Sequence, residues 1–182
     1  MGAETSAALL AEREVPAELA ARIVDAIATH AGDNTPEHPP ENLALGDADL
    51  IDANFGLVGV WRFITIRAGH GTGVAETIAA MGEWLPKKDA LLELLNTDAG
   101  RAVALDRTAR MHEFCADLAS ALSDGPADDD PLLALARHIN ANCARGSITD
   151  QLPALRAIAA EADHAGARAA IERLADEAAG RA

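Results

Sequence analysis

Two aspartates of this chain, Asp49 and Asp52, are the side chains with the clearest potential for chemistry. They lie in the segment LGDADLIDANFGLVGVWRF, residues 45–63, where most of their neighbours are apolar. A helix that is apolar nearly all round is normally buried, and a buried carboxylate is unfavourable unless it is paired, protonated or bound to a metal. The segment therefore predicts that these carboxylates have a partner.

On a helix, the side chains of Asp49, Ala53, Gly56 and Val60 share one narrow face. One interpretation is a seam of small residues against a neighbouring helix, with Asp49 capping that helix or pairing with an arginine. The other is that Asp49 binds a divalent cation together with His30, which ends the core-facing stripe of an earlier amphipathic helix. Carboxylate oxygens suit hard cations, and imidazole suits Mn, Fe or Ni. Both interpretations are open at this point.

Helices must position these residues, because helical periodicity dominates and no alternating strand pattern is convincing. The fold class is therefore predicted to be all-α. The pattern predicts a helix from Pro16 to Gly32, an irregular loop over 32–42 and a buried helix from about Asp47 to Arg67.

The second half of the chain continues the helical pattern. It predicts two short helices separated by Pro86, and then a long helix capped by Thr97 or Asp98. The inward seam of this long helix is predicted to consist of Ala104, Met111, Cys115, Leu118 and Leu122. Glycine, proline and charge coincide in GPADDDP, so residues 124–131 are predicted to be an acidic linker. It divides a helical domain over 1–123 from an extension over 132–182, which is predicted to form an antiparallel helical pair.

The overall charge argues against several classes of partner. The chain has 15 Lys and Arg against 29 Asp and Glu, which gives a net charge of −14. Nucleic-acid binders need basic surface for phosphates, and anionic membranes repel an acidic protein, so neither partner is expected. No apolar run reaches the ~20 residues of a membrane span, and no signal peptide precedes the first helix. These features predict a cytoplasmic protein.

Residues 1–123 resemble the later half of HD-domain metal-dependent phosphohydrolases. In that family a helix ending in I-x-x-H is followed by a proline-containing loop and by a helix with a run like D-A-D-x-(L/I)-D-A-x-G-x-x-G-x-x-R. Here RIVDAIATH precedes ALGDADLIDANFGLVGVWRF, and LNTDAGRAVALDRTARMHEFCADL is similar to the family's next long helix. The helix that carries the aspartates is the most specific part of the resemblance.

The resemblance implies an HD-like helical bundle that binds one or two divalent metal ions (Mn, Fe, Ni or Mg) and hydrolyses nucleotides or other phosphate esters. It maps the terminal aspartate of the family's ligand set onto Asp49 and an additional metal-binding histidine onto His30. Arg62 occupies the position of the family's arginine after the glycines, where it would face a substrate phosphate. The alternative for Arg62 is that it neutralises a buried Asp52 or Asp47.

The family's His-Asp pair is the main departure, because no histidine of this chain is followed by aspartate. The expectation is an N-terminally incomplete domain, a phosphohydrolase by lineage that is inactive alone, since too few ligands remain for a hydrolytic metal site. The alternative is a non-catalytic HD-like module for binding or protein interaction. In either case the helix face lined by Leu19, Ile23 and Ile27 is predicted to pair with a second copy or with the missing N-terminal segment.

Overall fold

The structure is a computed structural model, and it describes residues 2–31, 35–123, 130–144 and 146–181. Within these ranges the chain forms α-helices, one short 3-10 helix at Ala90–Leu94 and no strand, which confirms the all-α prediction. The helices are α1 (Gly2–Glu12), α2 (Ala17–Thr29), α3 (Pro40–Asn54), α4 (Gly56–Gly69), α5 (Val74–Asp89), α6 (Asp98–Ser123), α7 (Pro131–Ala141), α8 (Ile148–Glu161) and α9 (Ala165–Ala178).

Two predicted helices are confirmed together with the signals that mark them. Pro16 directly precedes α2, where its fixed φ angle suits a helix start. Thr97 caps α6, because its Oγ1 accepts a hydrogen bond from the backbone N–H of Gly100 at 2.9 Å. The seam predicted for α6 faces the core, with Ala104, Met111 and Leu118 fully buried. The predicted stop of the first of these helices, Gly32, lies outside the described residues. Residues 124–129, which make up most of the predicted linker, also lie outside them.

The single helix predicted from Asp47 to Arg67 is wrong, because the chain breaks at Phe55. Phe55 is extended (φ −113°, ψ 155°) and its side chain is completely buried, so it ends α3 and anchors the start of α4. Gly56 follows with φ +79°, a left-handed conformation that glycine adopts most readily. Asp49 and Val60 therefore belong to different helices and do not share one continuous face.

Two further boundaries differ from the prediction. Pro86 does not separate two helices, since α5 runs through it to Asp89 and then tightens into the 3-10 helix. The described residues after 130 form three helices rather than a pair, because the alanine-rich tail breaks between α8 and α9. Asp163 has φ +48° at this break, and the side chain of His164 caps α9 by accepting from the N–H of Ala167.

The main hydrophobic core is formed by buried residues of every helix from α4 through α9. Its most buried large side chains come from both halves of the chain: Ile64, Met111, Leu118, Leu133, Leu135 and Leu155. A smaller cluster of Ile51, Phe55, Leu95 and Ala104 attaches α3 to α6. The hairpin of α1 and α2 packs on α3 and contributes only Ala26 to the buried residues. In the described part of the chain, no helix combines the length and apolar character needed to cross a bilayer.

Candidate functional site

The buried carboxylate of α3 is Asp47, not Asp49 or Asp52. Asp47 is 2% exposed, and its hydrogen bonds connect α3 to the N-terminus of α6. Its Oδ1 accepts from the backbone N–H of Asn96 at 2.8 Å and from the side-chain amide of Asn96 at 3.1 Å. Its Oδ2 accepts from the N–H of Thr97 at 2.8 Å and from the Thr97 hydroxyl at 2.6 Å. Both oxygens are fully engaged, so this carboxylate has a structural role.

The hydrogen bonds also determine the ionisation of Asp47. Burial raises the pKa of this carboxyl group, but the donors of Asn96 and Thr97 together outweigh burial and hold the pKa below its ordinary value. The position at the start of α6 favours negative charge as well, because the N-terminal end of a helix carries partial positive charge. Asp47 is thus held ionised.

Asp49 and Asp52 are exposed, which corrects the expectation that they are sheltered from water. Asp49 lies on the side of α3 that faces α2, and there it lines a cavity of about 330 Å³ together with His30. The other lining residues are Ala31, Gly46, Leu50, Asn54, Leu94 and Asn96. The structure therefore brings Asp49 and His30 to one cavity, while Asp52 lies away from it.

The imidazole of His30 is oriented by its own helix. Its Nδ1 is 2.6 Å from the carbonyl oxygen of Ile27. A carbonyl oxygen only accepts, so Nδ1 carries the proton of this hydrogen bond, and in the neutral ring the lone pair is on Nε2. Metal-binding histidines commonly use one ring nitrogen in this way while the other coordinates the metal. His30 thus has the tautomer of a metal ligand.

A cationic group adjoins the cavity. The ammonium of Lys88 donates to Asn54 Oδ1 at 2.6 Å, and Asn54 lines the cavity. Burial lowers the pKa of Lys88, and the neighbouring positive charge of Arg62 lowers it further. Arg62 is exposed and does not neutralise a buried aspartate, because Asp47 is bound by Asn96 and Thr97 and Asp52 is exposed. The alternative role considered for Arg62 is therefore wrong.

The cavity offers only part of a metal site. Among the described residues, no group of three or more His, Cys, Asp or Glu side chains is arranged to hold a metal ion. Asp49 and His30 supply one carboxylate and one imidazole, whereas a hydrolytic zinc-type site uses three protein ligands and an open position. Asp49 and His30 supply at most two of these three ligands, and the role predicted for them remains a prediction.

A second buried carboxylate, Glu177 of α9, lies at the start of α4. Its side chain is completely buried, and Oε2 accepts from the backbone N–H of Val58 at 3.1 Å. Burial raises the pKa of Glu177, although the Val58 hydrogen bond and the charges of Arg107 and Arg110 oppose this. A Cβ atom on Gly56 would lie 2.4 Å from Glu177 Oε2. Close approach of this carboxylate is why position 56 requires glycine.

Several of these residues have no signal in the sequence. Asp47 and Thr97 are 50 positions apart, and Glu177 and Val58 are 119 apart, so only the tertiary fold brings them together. The sequence gives a partial signal for Lys88, since Lys87 and Lys88 are the only lysines in an acidic chain.

No family model, curated protein or solved structure matches this chain. The resemblance to HD-domain phosphohydrolases therefore rests on the sequence motifs alone and stays a prediction.

Proposed function

We propose that this chain is a cytoplasmic, HD-like helical module that contributes part of a metal-dependent site for phosphate esters of the nucleotide class. The observation that carries the proposal is that Asp49 and His30, which come from different helices, line one cavity. The motif resemblance pairs the same two residues on independent grounds, although they are 19 positions apart in the chain.

Each residue has a defined task in this proposal. Asp49 and the Nε2 atom of His30 hold a divalent cation of the Mn, Fe, Ni or Mg group. When bound, such a cation supplies Lewis-acid activation and charge for a phosphate oxygen. Arg62 attracts the phosphate, and Lys88 adds a second positive charge beside Asn54 at the edge of the cavity. In a chain with net charge −14, these cations offset the local repulsion of an anionic ligand.

Hydrolysis requires more ligands than these two, so the isolated chain is expected to bind without turnover. A partner chain would complete the ligand set and position the attacking water. Phosphoester hydrolysis is in this sense the activity of an assembly, and this chain provides the cation half-site and the phosphate contacts.

Calorimetric titration with Mn²⁺ tests the cation site. We expect the wild-type chain to bind one ion, and Asp49→Asn and His30→Ala each to weaken binding at least tenfold. Asp52→Asn is the matched control, because it removes the same charge from the same helix at a position outside the cavity. Equal weakening in Asp52→Asn would show that the ion responds only to general acidity.

Titration with adenosine monophosphate in the presence of Mn²⁺ tests the phosphate contacts. Arg62→Ala should weaken nucleotide binding several-fold while leaving Mn²⁺ affinity unchanged. Arg156→Ala is the control, since Arg156 is an arginine paired with Glu172 on the distant α8–α9 surface. Nucleotide binding that is unaffected by Arg62→Ala would remove the substrate role of this residue.

A second candidate function is protein interaction through α2. Leu19, Ile23, Ala26, Ile27 and Leu45 line an apolar groove of about 280 Å³, and Leu19 is 47% exposed. This is the face that the sequence predicts to pair with a second copy. Light scattering should show a dimer at high micromolar concentration that Leu19→Glu dissociates and Leu105→Glu, at an exposed leucine of α6, does not. A strictly monomeric wild type would reject this function.

A further inference from the structure

Arg107 of α6 is a buried cation, and two of its guanidinium nitrogens have no hydrogen-bond partner. The residue is 5% exposed, and its Nε and Nη1 atoms are buried without a hydrogen-bond partner. Buried guanidinium groups normally have bonded partners, because an unbonded buried donor loses its hydration without replacement. An arginine in this state therefore requires an explanation.

Charge compensation accounts for the position of Arg107 but not for its free donors. The positive charge of Arg107 acts on the carboxyl group of Glu177 and lowers its pKa. Glu177 is already bound by the N–H of Val58, and its Oε1 lies 3.6 Å from Arg110 Nη1. Arg107 and Arg110 thus both act on Glu177 through their charge, and the Nε and Nη1 atoms of Arg107 still have no hydrogen-bond acceptor.

Arg107 lines an open groove of about 460 Å³ between α3, α6 and the end of α9. This volume is within the range of about 300–1,000 Å³ that small-molecule sites occupy. Much of the remaining lining is alkyl: Ala44, Ala48, Ile51, Ala99, Val103 and Ala178. This groove is separate from the cavity of Asp49 and His30, which is lined by other residues of α3.

We propose that this groove binds a short aliphatic monocarboxylate, whose carboxylate pairs with Arg107 and whose alkyl chain lies against the alanine, isoleucine and valine side chains. A guanidinium matches a carboxylate in shape and charge. A single negative charge suits the groove better than a phosphate dianion, because the carboxyl groups of Asp47, Asp52 and Glu177 also line it.

Titration of the isotope-labelled full chain with hexanoate, followed by amide NMR, tests this site. We expect saturable shifts at Gly100 and Val103, with hexanol and acetate each binding at least tenfold more weakly. Hexanol retains the tail without the charge, and acetate retains the charge without the tail. Binding of hexanol as tight as that of hexanoate would overturn the role of Arg107, and acetate binding as tight would reduce the site to a general anion contact.

Three variants locate the site. Val103→Trp fills the groove from an exposed position, and we expect it to abolish hexanoate binding without disturbing the core. Arg107→Gln should weaken binding at least tenfold, and if this variant fails to fold, Val103→Trp still decides the question. Asp52→Asn should strengthen binding a few-fold, because it removes a like charge. Unchanged hexanoate binding in Val103→Trp, or shifts that map away from the groove, would contradict the proposal.

Discussion

The carboxylates on the two sides of α3 lie in opposite environments. On the side facing α6, Asp47 is buried and accepts four hydrogen bonds from Asn96 and Thr97. On the side facing α2, Asp49 is exposed beside the half-buried His30 in an open cavity. The comparison shows that a carboxylate with every oxygen engaged stabilises the fold, whereas one left open beside an oriented imidazole is available for a ligand.

The largest expected effect is on the buried side. Asp47→Ala leaves the donors of Asn96 and Thr97 unbonded at the start of α6, so we expect a loss of about 3 kcal/mol in the free energy of unfolding. Urea denaturation measures it. Asp52→Ala is the control and should change stability by less than about 0.5 kcal/mol, as exposed substitutions do. Equal effects of the two variants would break the comparison.

The break between α3 and α4 should be the next most sensitive point. Gly56→Ala places a Cβ atom against Glu177 and holds an L-residue at φ +79°, so we expect a loss of about 2 kcal/mol in stability. Gly82→Ala, in α5, meets nothing within 4 Å and should be stabilising by up to about 1 kcal/mol. Thermal unfolding of both variants gives the comparison directly. A tolerated alanine at position 56 would show that Glu177 moves freely.

The pH dependence of stability tests the environment of Glu177, the second buried carboxylate. Its pKa is raised in the folded state, so protonation favours folding, and this contribution is lost as pH rises through the folded-state pKa. Arg107 and Arg110 act on Glu177 through their charge and oppose this rise. Glu177→Gln stays neutral and keeps a carbonyl acceptor for Val58. Relative to wild type, it should be more stable at about pH 7.5 than at about pH 5. A difference that is independent of pH would contradict the raised pKa.

The smallest expected effect on stability is on the open side. Asp49→Asn should change the free energy of unfolding by less than about 0.5 kcal/mol, since Asp49 is exposed. The same holds for Asp52→Asn. If Asp49→Asn destabilised the chain as strongly as Asp47→Ala, Asp49 would be structural and the proposed ligand role would lose its basis.

The sequence predicts what depends on local pattern. The all-α class, the start of α2, the Thr97 cap and the inward face of α6 follow from periodicity and capping residues, and the structure confirms them. Gly56 is the only local signal for the break at Phe55, which also depends on burial of one aromatic ring and on Glu177, distant in sequence. The same limit applies to Asp47, whose partners are about 50 positions away.

The candidate site is predictable in part. The motif resemblance places His30 and Asp49 together, and the cavity contains both. The predicted burial of Asp49 is wrong, because the apolar segment is not one helix with a uniform environment. Lys88 and Asn54 are not predictable from the sequence, since their contact joins α5 to the end of α3.

Paramagnetic broadening by Mn²⁺ tests the central claim most directly, because it reports where the ion binds. The account predicts that substoichiometric Mn²⁺ selectively broadens the imidazole signals of His30 and the amide of Ala31, and that Asp49→Asn abolishes this while Asp52→Asn does not. Broadening centred on the half-buried pair of His112 and Asp89, or spread evenly over the acidic surface, would contradict it.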